Sequence, residues 1–289
     1  MFQKLCGVAV LGWLGFLSSA SASLVSPVQS SADPLGLKIV APVQIGGSDA
    51  ASANFMQDLA GINATIKSKL PESTAESPAT TASMALNPAA LRLATTSMAR
   101  VYFVSEGASY HSSLGFNTFS AGSAIPTATT PGVTSNAQWI LPDASSSAPN
   151  SLSSAGNSVR TSSEPLLAGD FVDLGTFGAG TLLDFFLVPY GAQGGTADLT
   201  DETARNPDNF QHIVSFWSAD NRYLVLSFED MVGGGDKDYN DVVVAVDFSS
   251  ALMQQATTAP EPGAWAGLAA MGLLTVWNSR RKSGVAQAA

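Results

Sequence analysis

Cysteine, histidine and charge are all scarce in this 289-residue chain. There is one cysteine, Cys6, and there are two histidines, His111 and His212. A single cysteine excludes an intramolecular disulfide framework and a thiolate zinc site, and two histidines exclude a three-histidine catalytic metal centre. Charged residues form 12% of the chain, about half of the usual share.

The few charges are mostly negative. Lysine and arginine number 13 against 23 aspartates and glutamates, which gives a net charge of -10. Such a protein repels a phosphate backbone, so we expect no nucleic-acid partner. The nucleophile-elbow, zinc-protease and phosphate-loop motifs are missing, and we predict a protein that is not an enzyme. A polysaccharide hydrolase stays open as an alternative, because pairs of carboxylates that meet only in space are invisible in a sequence.

The first 22 residues have the three parts of a secretory signal peptide. Lys4 supplies a positive charge, residues 5–17 are apolar, and Ala20 and Ala22 frame a small-x-small cleavage site for signal peptidase. About 13 apolar residues are too few to span a bilayer, which disfavours the alternative of an N-terminal anchor. Cleavage after Ala22 leaves a mature chain without cysteine, whose folding does not depend on the redox state of its compartment.

The last 30 residues contain a second three-part signal. A Pro-Glu-Pro motif precedes an uncharged apolar segment at 263–279, which we predict to be a short transmembrane helix, and a basic cluster and a tail at 283–289 follow. The motif and the cluster consist of Pro260, Glu261, Pro262, Arg280, Arg281 and Lys282.

This tail, residues 260–282, resembles the PEP-CTERM sorting signal of Gram-negative bacteria. The resemblance implies that the C-terminal helix enters the inner membrane transiently and that an exosortase recognises the Pro-Glu-Pro motif. It also implies that the protein passes through the periplasm to the cell surface or the extracellular matrix. A simple C-terminal membrane anchor is the alternative.

Residues 23–99 are predicted to be a linker with short helices. Apolar residues recur at helical spacing from Phe55 to Leu70, and Pro71 ends that pattern. Asn87 and Pro88 form an N-cap and first-turn pair, which predicts a second short helix through about Met98.

Residues 100–248 are predicted to form an antiparallel β-sandwich of jelly-roll or Ig-like type, followed by a linker at 249–259. Eight short segments rich in β-branched and aromatic residues are separated by turn residues, with no helical pattern between them. The last two segments are expected to pair as a hairpin. The eight segments are 101–104, 114–119, 138–141, 171–174, 182–188, 211–217, 223–228 and 242–248.

The connection of this predicted hairpin concentrates acidic and amide side chains. Such a cluster repels itself unless a cation lies within it, and hard oxygen ligands favour calcium over other metals. Asp241 stands where an EF-hand loop needs glycine, and β-branched residues follow it, so we reject an EF-hand. A solvated acidic turn without a metal is the alternative. The candidate ligands are Glu229, Asp230, Asp236, Asp238, Asn240 and Asp241.

Residues 228–246 resemble the signature of the domain-of-unknown-function family 4114. Segments 104–110, 113–115, 169–175 and 185–188 are similar to other parts of that family, so the resemblance covers about residues 100–248. It implies a β-rich, calcium-binding extracellular domain with no assigned reaction, and it adds Glu106 as a further candidate ligand.

These patterns together predict an exported, non-enzymatic protein of the cell surface or matrix that binds calcium. A calcium-dependent adhesion module that binds carbohydrate, such as exopolysaccharide, is the second hypothesis. Its aromatic binding platforms would come from Trp139, Tyr190, Trp217 and Tyr239.

Overall fold

The computed structural model describes residues 34–70, 83–85, 91–146 and 160–248. Both targeting signals, with Ala20, Ala22, the Pro-Glu-Pro motif and the basic cluster, lie outside these residues and stay predictions. The predicted membrane segment at 263–279 lies outside them too. Among the described residues, none of the helices has the length and apolar character needed to cross a bilayer.

The described chain is mainly β, as predicted. One α-helix, α1 (Ala50–Lys69), precedes nine strands. The strands are β1 (Ser97–Glu106), β2 (Ser113–Phe119), β3 (Gln138–Leu141), β4 (Phe171–Phe177), β5 (Leu182–Val188), β6 (Leu199–Thr200), β7 (Ile213–Trp217), β8 (Leu224–Phe228) and β9 (Val242–Asp247). Eight of them match the predicted segments, and the two-residue β6 is too short to leave a pattern in the sequence.

The strands form two antiparallel sheets that pack face to face. One sheet has the order β4-β1-β9-β8-β7, and the other has the order β3-β2-β5-β6. Between them lies a core of fully buried side chains, among them Phe103, Phe116, Phe185 and Val244. Successive residues of a strand point to opposite faces, so β1 contributes Val101 and Phe103 to this core and Tyr102 to the other side.

Helix α1 covers the outer face of the five-stranded sheet. Asp49 caps its N-terminus by accepting a hydrogen bond from the Ser52 amide at 2.7 Å, and Ser52 completes a capping box. The predicted apolar stripe is confirmed: Phe55 stacks on Tyr102 at 3.9 Å between ring centroids, and Ile62 and Ile66 are buried in the same cluster. The five-stranded sheet is therefore buried on both faces, which explains its continuous apolar strands.

The second short helix, predicted to run to about Met98, is wrong beyond Leu91: residues 92–98 are not helical. Leu91 and Leu93 are both buried in the core between the sheets, Arg92 bridges Leu182, and β1 begins at Ser97. Burial at every second residue is the period of an extended chain, and here tertiary packing overrides the local N-cap signal.

Candidate metal centre

The acidic connection is the loop of a hairpin between two central strands. Phe228 at the end of β8 pairs with Val242 at the start of β9, as predicted, and Glu106 at the end of β1 lies on the other side of Val242. The loop at 229–241 and Glu106 therefore lie at the same end of the sheet. A strand follows Asp241 directly, which confirms that no helix leaves the loop.

Left-handed backbone conformations give the loop its tight course. Gly233, Gly234 and Gly235 have φ of 94°, 84° and 37°, and Lys237 and Tyr239 have φ of 65° and 56°. Non-glycine residues adopt this conformation only when the surroundings hold them there. The side chain of Tyr239 provides such a hold, because it is fully buried and its hydroxyl donates to the Gln211 carbonyl at 2.7 Å.

A buried histidine ties the glycine turn to strand β7. The His212 ring contacts the Glu229 carbonyl through Nδ1 at 2.8 Å and the Asp208 carboxylate through Nε2 at 3.0 Å. Asp208 in turn accepts a hydrogen bond from the Gly233 amide at 2.5 Å. Sequence reasoning missed this support, because Asp208 and His212 lie outside the acidic run and have no metal-ligand spacing.

Three carboxylates of the loop converge on one point, and we call them the outer group: Glu229, Asp236 and Asp238. One oxygen from each lies within 4.8 Å of the other two. Oxygens that bind one calcium ion at 2.3–2.6 Å are at most about 5 Å apart, so this spacing fits a shared ion. Asn240 lies beside them and donates to Asp238 Oδ2 at 2.6 Å.

The remaining candidate ligands form an inner group behind the loop: Glu106, Asp230 and Asp241. Asp241 Oδ2 accepts a hydrogen bond from the Asp230 amide at 2.8 Å, and the Asp241 carboxyl also interacts with the carboxyls of Glu229 and Asp230. Asp241 therefore connects the inner group to the outer group.

The inner group also reaches the four-stranded sheet. Ser112, directly before β2, donates to Asp230 Oδ2 at 2.8 Å, and the Ser146 amide donates to Glu106 Oε2 at 3.3 Å. Ser112 is separated from Asp230 by 118 positions, so no spacing in the sequence could reveal this contact.

Burial and mutual repulsion raise the pKa values of these carboxyls. Desolvation, followed by the charge of Asp241, raises the pKa of Glu229 to about 8 and that of Asp230 to about 7. Desolvation, followed by the charges of Asp230 and Asp241, raises the pKa of Glu106 to about 8. Ionised carboxylates at such sites need a positive partner.

Two other buried carboxylates of the described chain have an arginine as that partner. Arg205 forms a two-point contact with Asp184 at 2.8 and 3.0 Å, and Arg160 contacts Asp170. Across the described residues, no lysine or arginine forms an ion pair with Glu106, Glu229, Asp230 or Asp241. Within that part of the chain, these four carboxyls thus lack the arginine partner that Asp170 and Asp184 have.

Replacing Gly235 with alanine is expected to disturb the outer group. A Cβ at this position would lie 2.2 Å from Glu229 Oε1, so the carboxylate must turn away from its partners, and we expect calcium affinity to fall about tenfold. Titration calorimetry measures the change. Gly233→Ala is the control, because Gly233 also has a positive φ but has open space around it. Equal affinities for the two variants would contradict this role of Gly235.

A serine, a histidine and an aspartate meet next to the inner group. His111 Nδ1 contacts both Asp143 Oδ2 at 3.2 Å and Ser145 Oγ at 3.0 Å. In a hydrolytic triad the nucleophile and the orienting carboxylate contact different ring nitrogens. Here they share one nitrogen, so this arrangement orients the imidazole without activating Ser145.

The aromatic residues predicted as carbohydrate-binding platforms differ in their exposure to solvent. Trp139 and Tyr239 are fully buried, so the prediction is wrong for both, and Trp217 packs partly against the core between the sheets. Trp139 Nε1 donates to the Pro34 carbonyl at 2.7 Å under an N-terminal segment that covers it. Tyr190 is 41% exposed.

The matching family model covers the acidic hairpin. Residues 177–249 match DUF4114, a domain of unknown function. The DUF4114 match runs from the last residue of β4 to just beyond β9, so it includes both groups of carboxylates except Glu106. It is shorter than the predicted range of about 100–248. Comparison with curated proteins and with solved structures found no match.

Proposed function

We propose that this chain is an exported, non-enzymatic β-sandwich protein that binds calcium in the β8–β9 loop. The observation that carries the proposal is the convergence of three loop carboxylates next to buried carboxyls whose pKa values are raised. Glu229 and Asp230 are each 1% exposed, and placing two ionised groups there without compensation costs several kcal/mol. A divalent cation would remove that cost.

We propose that the carboxylates of the outer group bind the ion directly. All its donors are oxygens, which favours calcium over zinc or copper. Calcium accepts irregular sets of six to eight oxygens, whereas magnesium needs a near-ideal octahedron and keeps its waters. Asn240 and backbone carbonyls of the glycine turn are further oxygen donors within the same loop.

Bound calcium would connect both sheets at this end of the sandwich. It would neutralise the outer group and, through Asp241, lower the repulsion acting on Glu106 and Asp230. Ser112, directly before β2, joins Asp230 to the other sheet, and Ser146 joins Glu106 to the segment that follows β3. Folding would then depend on extracellular calcium, because a site that exists only in the folded chain adds its binding free energy to stability.

The targeting signals supply the proposed location. The signal peptide and the tail that resembles a PEP-CTERM signal support export by signal peptidase and an exosortase to the cell surface or matrix. Extracellular calcium is abundant enough to occupy even a weak site, of the order of 0.1–1 mM in dissociation constant.

Calorimetric titration of chelator-treated protein with calcium tests the proposal. We expect saturable binding that the double change Asp236→Asn and Asp238→Asn weakens at least about tenfold, since two of three converging charges are lost. Magnesium should bind more weakly. Glu164→Gln, which removes a carboxylate that belongs to neither group, should bind as the unchanged protein does. Absence of calcium binding by the unchanged protein would overturn the proposal.

A further inference from the structure

A pair of tyrosines forms a surface platform beside the inner group. Tyr110 and Tyr190 lie with ring centroids 3.6 Å apart and planes 31° from parallel. Tyr190 is among the few large hydrophobic side chains that are substantially exposed in the described chain. Hydrogen bonding with the Tyr110 hydroxyl is the main reason that the pKa of Tyr190 rises to about 12.

The platform is held in a strained backbone conformation. Tyr190 has φ of 53°, a left-handed value that disfavours bulky side chains. Its carbonyl accepts hydrogen bonds from the Gln193 and Gly195 amides at 2.8 Å, and the Ala192 amide donates to the His111 carbonyl at 3.1 Å. A chain that keeps an aromatic residue exposed at such a position, where glycine is the relaxed choice, suggests a functional use for the ring.

An oriented imidazole accompanies the platform. His111 directly follows Tyr110, and its side chain is 23% exposed. Because the Asp143 carboxylate can only accept, we place a proton on His111 Nδ1. Within the described residues, Nε2 makes no hydrogen bond, so it is available to a hydroxyl group in either protonation state of the ring.

We propose that Tyr110, Tyr190 and His111 form a binding subsite for a neutral polysaccharide. Sugar rings have an apolar C–H face that can stack on a tyrosine ring, and hydroxyls at the edge that bond to groups such as Nε2 and the tyrosine oxygens. The net charge of -10 disfavours anionic polymers. Stacking and hydroxyl bonds need no metal, so the subsite is independent of the proposed calcium centre.

The variant Tyr190→Gly removes the aromatic ring and is expected to leave the fold intact. Glycine adopts φ of 53° without strain, so this variant should unfold at the same temperature as the unchanged chain or higher. The full chain is tested for retention by dextran, laminarin and mannan in affinity electrophoresis, with alginate as the anionic comparison. We expect retention by at least one neutral polymer, weakened about tenfold in Tyr190→Gly and less in Tyr190→Phe.

Asn221→Gly is the matched control, because Asn221 is another exposed residue with positive φ, at 56°. It should bind as the unchanged chain does. Retention by alginate alone, by none of the polymers, or equally by Tyr190→Gly and the unchanged chain would each overturn the inference. Repeating the assay in chelator, at a temperature at which circular dichroism shows the calcium-free chain to be folded, distinguishes the two proposals: retention that persists there supports the subsite whether or not calcium titrations succeed, and retention lost there contradicts its independence.

Discussion

The substitution Glu229→Gln is expected to make the protein more stable in the absence of calcium and less stable in its presence. In chelator near pH 8 the amide variant should be the more stable protein, by about 1–2 kcal/mol, because it removes one of several repelling buried carboxylates. In calcium at about 100 times its dissociation constant, the unchanged protein should gain about 2.7 kcal/mol. The variant loses a ligand and should gain much less, so it becomes the less stable of the two.

Thermal unfolding followed by circular dichroism measures both free energies. For a domain of this size, 2.7 kcal/mol corresponds to roughly 5–10 °C in melting temperature. Glu164→Gln makes the same chemical change outside the centre. It should change the free energy of unfolding by the same amount in chelator and in calcium. A solvated acidic turn without a metal predicts no reversal, so parallel shifts of Glu229→Gln in the two conditions would exclude the proposed role of Glu229.

The second large effect is a loss of stability with rising pH that calcium abolishes. The pKa values of Glu106, Glu229 and Asp230 are raised in the folded chain to about 8, 8 and 7. Their unfolded values lie near 4.5 for glutamate and 3.8 for aspartate. The folded chain therefore holds protons that the unfolded chain releases, and this stabilisation is complete below about pH 4 and disappears as pH rises to about 8.

Each such proton makes the free energy of unfolding fall by about 1.4 kcal/mol per pH unit. Denaturant unfolding in chelator between pH 5.5 and 8.5 should therefore show falling stability. Asp208 and Asp49, whose pKa values are lowered although burial opposes this, act in the opposite direction only at lower pH. Calcium displaces the protons, so the slope should flatten and calcium affinity should rise with pH.

Asp241→Asn gives the matched comparison for the pH effect. Its charge contributes to the raised pKa values of Glu106, Glu229 and Asp230, so the variant should have a shallower slope in chelator. The asparagine oxygen can still accept the hydrogen bond from the Asp230 amide. Stability that rises from pH 6 to 8 in chelator, or a slope that calcium leaves unchanged, would contradict the electrostatic account of the centre.

The strands and the hairpin could be predicted because their signal is local. Alternating and continuous apolar runs mark strands wherever a sheet is buried, and the runs at 223–228 and 242–248 proved to be β8 and β9. The prediction failed at 92–98, where the chain is not helical and the side chains of Leu91 and Leu93 both enter the core. Local capping preferences of about 1 kcal/mol are small beside the burial of two leucines.

The sequence by itself determined that the chain is acidic, rich in short strands and equipped with a dense carboxylate loop, because composition and periodicity are properties of neighbouring residues. Tertiary structure alone decided which carboxylates meet. It separated Glu229, Asp236 and Asp238 from the inner group, brought Glu106 and Ser112 to that group from other strands, and buried Trp139 and Tyr239 while exposing Tyr190. Burial and charge act through space, and chain folding sets those distances without leaving a pattern in the order of the residues.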